Sequence, residues 1–288
     1  MHHSADRLAA LPLSMEPLDG SNLAAIAALC RRGLADPPSE AELGDALLAA
    51  DQPAQLFGDP SSGVVAVAEC EDGPHLRLLV VDPDARGQGW GHALLAAAEE
   101  WARRRGHRRL TTGADPPYFL WPGVPSDQTA LICLLERRHY VRTEANFNMR
   151  VGLDTVPPDR GGHRMAGVGD RAAVDAWMAT HWPNWRLEVL RALDKGNLVV
   201  SHGDGSDGDL EAFCAFEVNR RGLLGPVAVR PDLIGRGRGK SVLVGALHEL
   251  RRRGAHGVSV VWVGPVVPYA AVGGTVSDVY FVYRKEPL

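Results

Sequence analysis

The residues best suited to chemistry in this sequence form two glycine-rich loops. The first runs Arg86-Gly87-Gln88-Gly89-Trp90-Gly91-His92, and the second runs Gly235-Arg236-Gly237-Arg238-Gly239-Lys240. Each is predicted to follow a β-strand and to open a helix. Glycines let a backbone approach a ligand closely, and the unpaired amides at the start of a helix bind anions with help from the helix dipole. The pattern therefore predicts two sites for a phosphate or pyrophosphate group.

Two common phosphate-binding motifs fit these loops poorly. A Rossmann loop belongs to a βαβ unit near the start of its domain and has an acidic residue ~20 positions further on, whereas these loops follow a third predicted strand. A Walker loop has four residues between its glycines and ends in Lys-Ser or Lys-Thr. Lys240-Ser241 matches that ending, but only three residues separate Gly235 from Gly239.

The two loops belong to an internal repeat. Residues Val81–Gly106 align without a gap with Val229–Gly254 at a constant offset of 148, and twelve of the 26 aligned positions are identical. The identities include three glycines, a proline and an aspartate, which helical amphipathicity alone would not reproduce. We therefore expect two similar domains, residues 1–153 and residues 162–288. The linker is expected near Leu153–Gly162, where prolines and paired glycines favour turns.

Each half predicts the same order of elements. Helical spacing of apolar residues predicts two helices at the start of each half, and runs of β-branched residues and leucine predict three strands after them. The glycine loop, a helix, a strand, a helix and a final strand follow. This order predicts that the loop amides stand where the third strand of each half ends.

The first loop and its flanks resemble a known family. Val81-x-Pro83-x-x-Arg86-Gly87-x-Gly89-x-Gly91 is similar to the signature loop of the GNAT acetyltransferases, Q/R-x-x-G-x-G/A, and the order of elements is similar over nearly all of both halves. The second loop departs from the pattern at its opening position, where Ile234 replaces Arg or Gln. The resemblance implies an α/β chain of two tandem GNAT-like domains, each a mixed, mostly antiparallel sheet flanked by helices.

The resemblance also implies the cofactor and the residues that hold it. In GNAT proteins the loop amides hold the pyrophosphate of acetyl-CoA, and a bulge in the preceding strand exposes backbone groups to the pantetheine and the thioester. Carried over by position, the residues expected to bind acetyl-CoA are Val80, Val81, Arg86, Gly87, Gln88, Gly89, Trp90, Gly91 and His92 in the first half, and Val227, Ala228, Val229, Gly235, Arg236, Gly237, Arg238, Gly239 and Lys240 in the second.

A tyrosine on the last helix often protonates the departing thiolate in this family, in a pattern like F-Y-x-x-x-G-F. Tyr269 takes that position within Val267–Gly273, whereas Leu135 takes it in the first half and cannot donate a proton. The resemblance therefore favours catalysis in the C-terminal half, with the N-terminal half binding acetyl-CoA, shaping the cleft or serving as a scaffold. The alternative is that Tyr269 is a core aromatic residue packed under the final strand.

Acetyl transfer also needs a base, because the amine must lose a proton before it attacks. Alternation along the final predicted strand places Asp278 on one face with Tyr280 and Val282. Burial among apolar residues would raise the pKa of Asp278 toward a useful value. A solvated aspartate on an edge strand is the alternative interpretation, and Glu217 is the second candidate for the base.

Composition limits the partners. The 288 residues carry a formal net charge of -4 with a pI of about 6.3, which gives no reason to expect nucleic acid or an anionic membrane as a partner. No apolar stretch is long enough for a membrane span. Four scattered cysteines without a C-x-x-C pair predict neither a metal site nor a disulfide framework. We expect a cytoplasmic monomer whose two domains form a pseudo-dimer.

These features together predict an acetyl-CoA-dependent N-acetyltransferase acting on a primary amine of a small molecule. Tyr118–Pro125, Trp262–Pro265 and the ending Val279–Lys285 also resemble tandem GNAT proteins, some of which acetylate glucosamine and glucosaminides. An amino sugar is therefore one candidate acceptor, and a protein or peptide amine is another. A non-catalytic acyl-CoA-binding sensor or scaffold is the alternative from another class, and Leu135 and Ile234 are the residues that favour it.

Overall fold

The computed structural model describes residues 15–113, 115–203 and 209–288. The chain forms two compact units, and neither is a continuous stretch. Unit 1 comprises Met1–Gly113, Thr129–Val141 and Tyr283–Leu288, and unit 2 comprises Ala114–Gln128 and Arg142–Val282. These divisions differ from the predicted boundaries at residues 153 and 162. The difference arises because the strand that ends the first half belongs to unit 2, and the last residues of the chain belong to unit 1.

Unit 1 is a sheet with helices packed against it. Its elements are β1 Pro17–Leu18, α1 Leu23–Gly33, α2 Glu40–Leu47, β2 Gln55–Asp59, β3 Gly63–Cys70, β4 Gly73–Val81, α3 Trp90–Arg104, β5 Leu110–Thr112 and α4 Thr129–Arg137. The strands lie in the order β1–β2–β3–β4–β5, and residues 283–285 pair antiparallel with β5. Only the β4–β5 pair is parallel.

Local sequence explains several elements of unit 1. The start of α2 is a capping box, in which the Ser39 hydroxyl accepts the Glu42 amide and the Glu42 carboxylate accepts the Ser39 amide. The buried face of α1 carries Ile26, Leu29 and Cys30 at helical spacing. β3 is buried along Gly63–Ala68, which is typical of a strand covered on both faces.

Unit 2 has the same kind of architecture. Its elements are β6 Val124–Pro125, β7 Val141–Gly152, β8 Arg164–Met165, α5 Arg171–His181, α6 Arg186–Asp194, β9 Leu198–His202, β10 Leu210–Phe216, β11 Leu223–Val229, α7 Arg238–Arg252, β12 Gly257–Val260, α8 Val267–Ala270 and β13 Thr275–Lys285. The sheet order is β13–β7–β12–β11–β10–β9–β8, with β6 pairing to β13. Only β11 and β12 run parallel among the pairs described.

The core of unit 2 lies on both faces of β10. Cys214 and Phe216 point into a cluster formed with α7, α8, β7 and β12. Phe213 and Ala215 point into a second cluster formed with α5 and α6. Because successive side chains of a strand alternate between faces, one fully buried strand joins both helical layers to the sheet.

The predicted fold class is confirmed. Each unit is a mixed, mostly antiparallel sheet flanked by helices, and each contains one parallel strand pair next to a glycine loop. Among the residues that the structure describes, no helix combines the length and the apolar character needed to cross a membrane.

Candidate active site

The parallel strand pair of unit 1 separates part of the way along. β4 pairs with β5 only at His75–Thr111 and Leu76–Thr112, although β4 continues to Val81. The pairing of β4 with β3 shifts by one residue around Arg77, which is the mark of a β-bulge. Within the described residues, the β5-side edge of Leu78–Val81 is therefore left without a strand partner, and its backbone groups can bind an extended ligand.

The first glycine loop follows that open edge and begins α3. Gly87 and Gly89 have φ values of 77° and 92°, a region that residues with a Cβ rarely adopt. The first helical hydrogen bond runs from the Ala93 amide to the Gly89 carbonyl at 3.1 Å. The amides of Trp90–His92 therefore precede the intrahelical ladder, and they provide the donors of an anion site.

Not every side chain of the first loop faces a ligand. The Arg86 guanidinium donates to the Gly33 carbonyl at 2.8 Å, at the end of α1. Trp90 and Val80 are buried in the protein, so only their backbone can face a ligand. A Cβ at Gly91 would lie 2.7 Å from the Leu134 side chain, so this glycine allows α3 to approach α4 closely.

Unit 2 repeats the separated strand pair. β11 pairs with β12 only at Leu223–Ser259 and Leu224–Val260, and the β10–β11 register shifts at Gly225–Pro226. This bulge stands 148 positions after the bulge of β4, as the sequence repeat requires. Pro226 has no amide hydrogen, so the open edge of Pro226–Val229 has one donor fewer than the edge of Leu78–Val81.

The second glycine loop also begins a helix. Gly235 and Gly237 have φ values of 86° and 82°, and the first helical bond runs from the Ser241 amide to the Gly237 carbonyl at 3.1 Å. The amides of Arg238–Lys240 thus stand free of the helical ladder. A Cβ at Gly239 would lie 2.9 Å from the Val229 side chain, so the start of α7 lies tightly against the end of β11.

Positive charge is richer at the second loop. Arg236 and Lys240 are exposed, and the Arg238 guanidinium lies 2.7 Å from a carboxylate oxygen of the buried Glu211. Ile234, where the family pattern has Arg or Gln, is 69% exposed. The second loop therefore offers cations to an anion although it lacks the opening side chain of the first loop.

Tyr269 lies in the hydrophobic cluster of unit 2. It is 9% exposed on the short helix α8, and Cys214, Met149 and Val272 belong to the same cluster. Burial raises the pKa of the Tyr269 phenol above its ordinary value, and the neighbouring Cys214 thiol adds to the effect. Tyr269 therefore stays protonated at neutral pH, which a proton donor requires and which a core tyrosine would share.

Asp278 has the solvated environment that was the alternative interpretation, not the apolar one. The first five residues of β13, Thr275–Val279, are all exposed, and Val276 is 57% exposed. Because these residues are exposed, alternation along β13 does not place Asp278 in an apolar layer. The second candidate, Glu217, has a φ of 47°, and its carboxylate accepts the Gly222 amide at 2.9 Å. Glu217 thus closes the turn between β10 and β11.

A buried carboxyl that we did not predict lies elsewhere in unit 2. Glu188, in the first turn of α6, is 5% exposed, and its carboxylate accepts a hydrogen bond from the Asn219 side chain at 3.0 Å. Burial raises the pKa of Glu188 to about 8, although Arg191 and the Asn219 hydrogen bond act to lower it. The sequence signal for the burial of Glu188 was its i, i+4 spacing to Ala192, which is buried. That spacing places both residues on one helix face.

Comparison with known proteins agrees with this geometry. Residues 31–117 match the profile of the Acetyltransferase (GNAT) family, and no curated protein sequence matches the chain. A fungal GCN5-related glucosamine N-acetyltransferase region, in a multi-domain GH3 β-N-acetylglucosaminidase, is similar in structure with a TM-score of 0.76 and 20% identity. The similarity covers 96% of this chain and 38% of that one, so the chain spans well under half of that protein's length.

Two further structures are similar over their whole length. A tandem GNAT protein from the clavulanic acid biosynthesis pathway has a TM-score of 0.73 and 17% identity, over 96% of this chain and 99% of that one. A GCN5-related N-acetyltransferase from Sphaerobacter thermophilus has a TM-score of 0.66 and 20% identity, over 96% and 97%. Residues 31–117 therefore match the GNAT acetyltransferase model, and the chain has the fold of tandem GNAT proteins.

Proposed function

We propose that this protein transfers an acetyl group from acetyl-CoA to a primary amine of a small molecule, with amino sugars and glucosaminides as the first candidates. One observation carries the proposal: each unit has a separated parallel strand pair beside a glycine-capped helix start. The open strand edge suits an extended polar ligand, and the helix start suits its pyrophosphate.

The residues at both sites fit acetyl-CoA. The amides of Trp90–His92 and Arg238–Lys240 would hold the pyrophosphate, and the open edges of Leu78–Val81 and Pro226–Val229 would hold the pantetheine arm. Exposed Arg236 adds charge at the second site. Bound acetyl-CoA supplies an acetyl group activated as a thioester.

We place catalysis in unit 2. Tyr269 holds a phenolic proton at neutral pH, because burial raises its pKa, and it is the residue that would protonate the departing thiolate. Leu135, which takes the corresponding position in the first half, is fully buried and has no proton to give. In this proposal unit 1 binds acetyl-CoA or supports the fold, and the chemistry takes place in unit 2.

The acceptor is proposed from its chemistry and from one neighbour. The fungal region that shares the fold is described as a glucosamine N-acetyltransferase, and this gives amino sugars a first place among the amines to be tested. Peptide amines remain the second class of acceptor. A non-catalytic acyl-CoA sensor is the rival function, favoured by Leu135, by exposed Ile234 and by the donor that Pro226 lacks.

The experiment measures acetyl-CoA-dependent thiol release with glucosamine, chitobiose-type glucosaminides, aminoglycosides, polyamines and lysine peptides. Tyr269→Phe is expected to lose about 100-fold or more in kcat with one class of amine and to keep its affinity for acetyl-CoA. Tyr140→Phe is the matched control, since Tyr140 is also buried and its pKa is also raised, but it lies in unit 1. It is expected to leave kcat unchanged.

Three outcomes discriminate the hypotheses. Loss of turnover in Tyr269→Phe alone supports an enzyme with its active site in unit 2. Loss in Tyr140→Phe alone would move catalysis to unit 1. Tight acetyl-CoA binding by the wild type, without turnover of any amine, would favour the sensor.

A further inference from the structure

We infer that Trp262 forms one wall of the acceptor site of unit 2 and selects amines carried on a sugar ring, an assignment that rests on the proposed function. Trp262 stands where β12 separates from β11. Among the described residues, the last backbone bond between these two segments runs from the Val261 amide to the Leu224 carbonyl at 3.2 Å. Trp262 is the next residue, so the open edge of β11 begins beside it.

The backbone of Trp262 is unusual for a residue of its size. Its φ is 50°, a left-handed conformation that bulky side chains rarely adopt. The other described residues with a positive φ and a side chain have local explanations, because His139 follows the end of α4 and Glu217 closes a turn. Trp262 lies between the end of β12 at Val260 and the start of α8 at Val267. Strain of this kind persists where the surrounding structure fixes it, and it is common at ligand sites.

Trp262 is the first residue of a β-bulge between β7 and the continuation of β12. β12 pairs with β7 as far as Val260, opposite Met149. In a regular antiparallel ladder the Trp262 amide would bond to the Phe147 carbonyl, but the Val263 amide makes that bond, at 3.0 Å. A bulge whose first residue is left-handed usually has glycine at that position, and bulges near active sites re-aim a side chain.

A buried asparagine holds this bulge. The Asn148 side-chain oxygen accepts the Trp262 amide at 3.1 Å, and its side-chain nitrogen donates to the Ser259 hydroxyl at 3.2 Å. The amide that the bulge removes from the ladder is therefore satisfied. Asn148 is 2% exposed, whereas Trp262 is 40% exposed. A buried polar contact thus fixes the backbone of a residue whose side chain is partly open to a ligand.

The position of Trp262 matches the reacting end of the proposed cofactor. The pyrophosphate would lie at the start of α7, and the pantetheine arm would run back along Pro226–Val229. The thioester end of an extended arm would therefore lie nearest the point where β11 and β12 separate. Val260 and Val263, on either side of Trp262, belong to the hydrophobic cluster that contains Tyr269. Trp262 thus stands at the strand separation, next to the layer of the proposed proton donor.

An indole ring suits an amino sugar better than a flexible amine. The face of the ring is the negative side of its quadrupole, so it attracts an ammonium group and the C–H groups on the flat side of a sugar ring. The first attraction is common to all amines, whereas the second needs a ring. A rigid ring also loses less conformational freedom on binding than a flexible chain does. The repeat places Ala114 at the corresponding position of the first half, so that half has no aromatic ring there.

The test compares Trp262→Leu with the wild type on glucosamine and on spermidine, a flexible amine. Leucine keeps an apolar side chain but removes the ring face. For glucosamine, kcat/KM is expected to fall about 10-fold, mainly through KM, and for spermidine about 3-fold or less. The affinity for acetyl-CoA should be unchanged. Trp101→Leu is the matched control, since Trp101 is a half-buried tryptophan of unit 1 that lies under Arg105. It should keep both wild-type values.

A second measurement follows the indole itself. Glucosamine should change the tryptophan fluorescence of the wild type in the presence of CoA, and this change should be absent from Trp262→Phe. Phenylalanine keeps a ring, so Trp262→Phe should retain more glucosamine turnover than Trp262→Leu. If Trp262→Leu does not fold, the fluorescence decides, because an equal change in the wild type and in Trp262→Phe contradicts the assignment.

The remaining outcomes separate the assignment from the proposed function. If Trp262→Leu keeps the wild-type KM for glucosamine, the assignment is wrong and the proposed function stands. A wild type that turns over spermidine better than glucosamine also contradicts selection for a sugar ring, while it supports an acetyltransferase. If the wild type turns over no amine, the proposed function fails and takes the assignment with it.

Discussion

Replacing Glu188 by glutamine should change how the stability of the protein depends on pH, whatever the acceptor is. The carboxyl has an ordinary pKa of 4.5, and burial raises it to about 8 in the folded state. Between these values the folded protein holds a proton that the unfolded chain has released. Stability must therefore fall as the pH rises through this window. Below pH 4.5 both states hold the proton, and the loss is absent.

The magnitude follows from the shift. Each pKa unit corresponds to 1.36 kcal/mol, so the shift amounts to at most about 5 kcal/mol between low pH and pH 8. Glutamine does not titrate, so Glu188→Gln should lack this loss. Its free energy of unfolding should exceed that of the wild type by a margin that grows from pH 5 to pH 8.

The assay is urea unfolding followed by tryptophan fluorescence at pH 5, 6.5 and 8. Trp177 lies in α5, and Trp182 and Trp185 lie in the segment between α5 and α6, so three of the seven tryptophans report on the elements around Glu188. Asp278→Asn is the control, because it removes a carboxyl that is exposed. Parallel curves for the wild type and Glu188→Gln would refute the reasoning, because they would mean that Glu188 is ionised in the folded protein throughout this range.

Four other substitutions test packing and the loops. Glu99→Gln should cost about 3–5 kcal/mol in urea unfolding, because the buried Glu99 carboxylate is the partner of two partly buried cations, Arg138 and Lys285. Gly245→Ala should cost about 1–3 kcal/mol by the same measurement, because its methyl group would collide with the His163 ring. Gly89→Ala and Gly237→Ala place a methyl group at left-handed positions, with a strain of about 1–2 kcal/mol each. Each should weaken acetyl-CoA binding at its own loop, as measured by calorimetry.

Matched controls make these results decisive. Glu100→Gln removes a neighbouring carboxylate of α3 that pairs only at the surface, and it should cost under about 1 kcal/mol. If it costs as much as Glu99→Gln, burial is not the cause.

Gly169→Ala introduces a methyl group with no neighbour within 4 Å and should be nearly neutral. One outcome of calorimetry on the wild type is a single acetyl-CoA binding event that only one of Gly89→Ala and Gly237→Ala abolishes. That result would show that a single loop binds acetyl-CoA.

Local features of this fold could be predicted from the sequence. The capping box at Ser39 and Glu42 depends on side chains three residues apart, and it forms as the spacing indicates. The bulges in β4 and β11 were implied by resemblance, and they occur at positions related by the repeat. Such features depend on neighbouring residues, and the sequence displays these directly.

Features that depend on distant partners could not be predicted in this way. Period-two alternation places Asp278 on a face of β13, but it does not tell whether another element covers that face, and none of the described elements does so at Thr275–Val279. Glu188 shows the reverse case. Its carboxylate is bound by Asn219, in a turn between two later strands, so no short window of sequence contained both groups.

The interleaved order of the chain has a consequence for biosynthesis. Residues 283–285 supply the antiparallel neighbour of β5, and the Leu288 amide bonds to the Arg108 carbonyl at 2.8 Å. A ribosome makes these residues after all of Arg142–Val282, so a nascent chain that already holds all of β1–β5 must wait for them before the first unit can close. N-terminal domains generally fold first during synthesis. The first unit of this chain therefore cannot be completed in that order. A premature stop after Val282 would leave the earliest-made part of the protein incomplete.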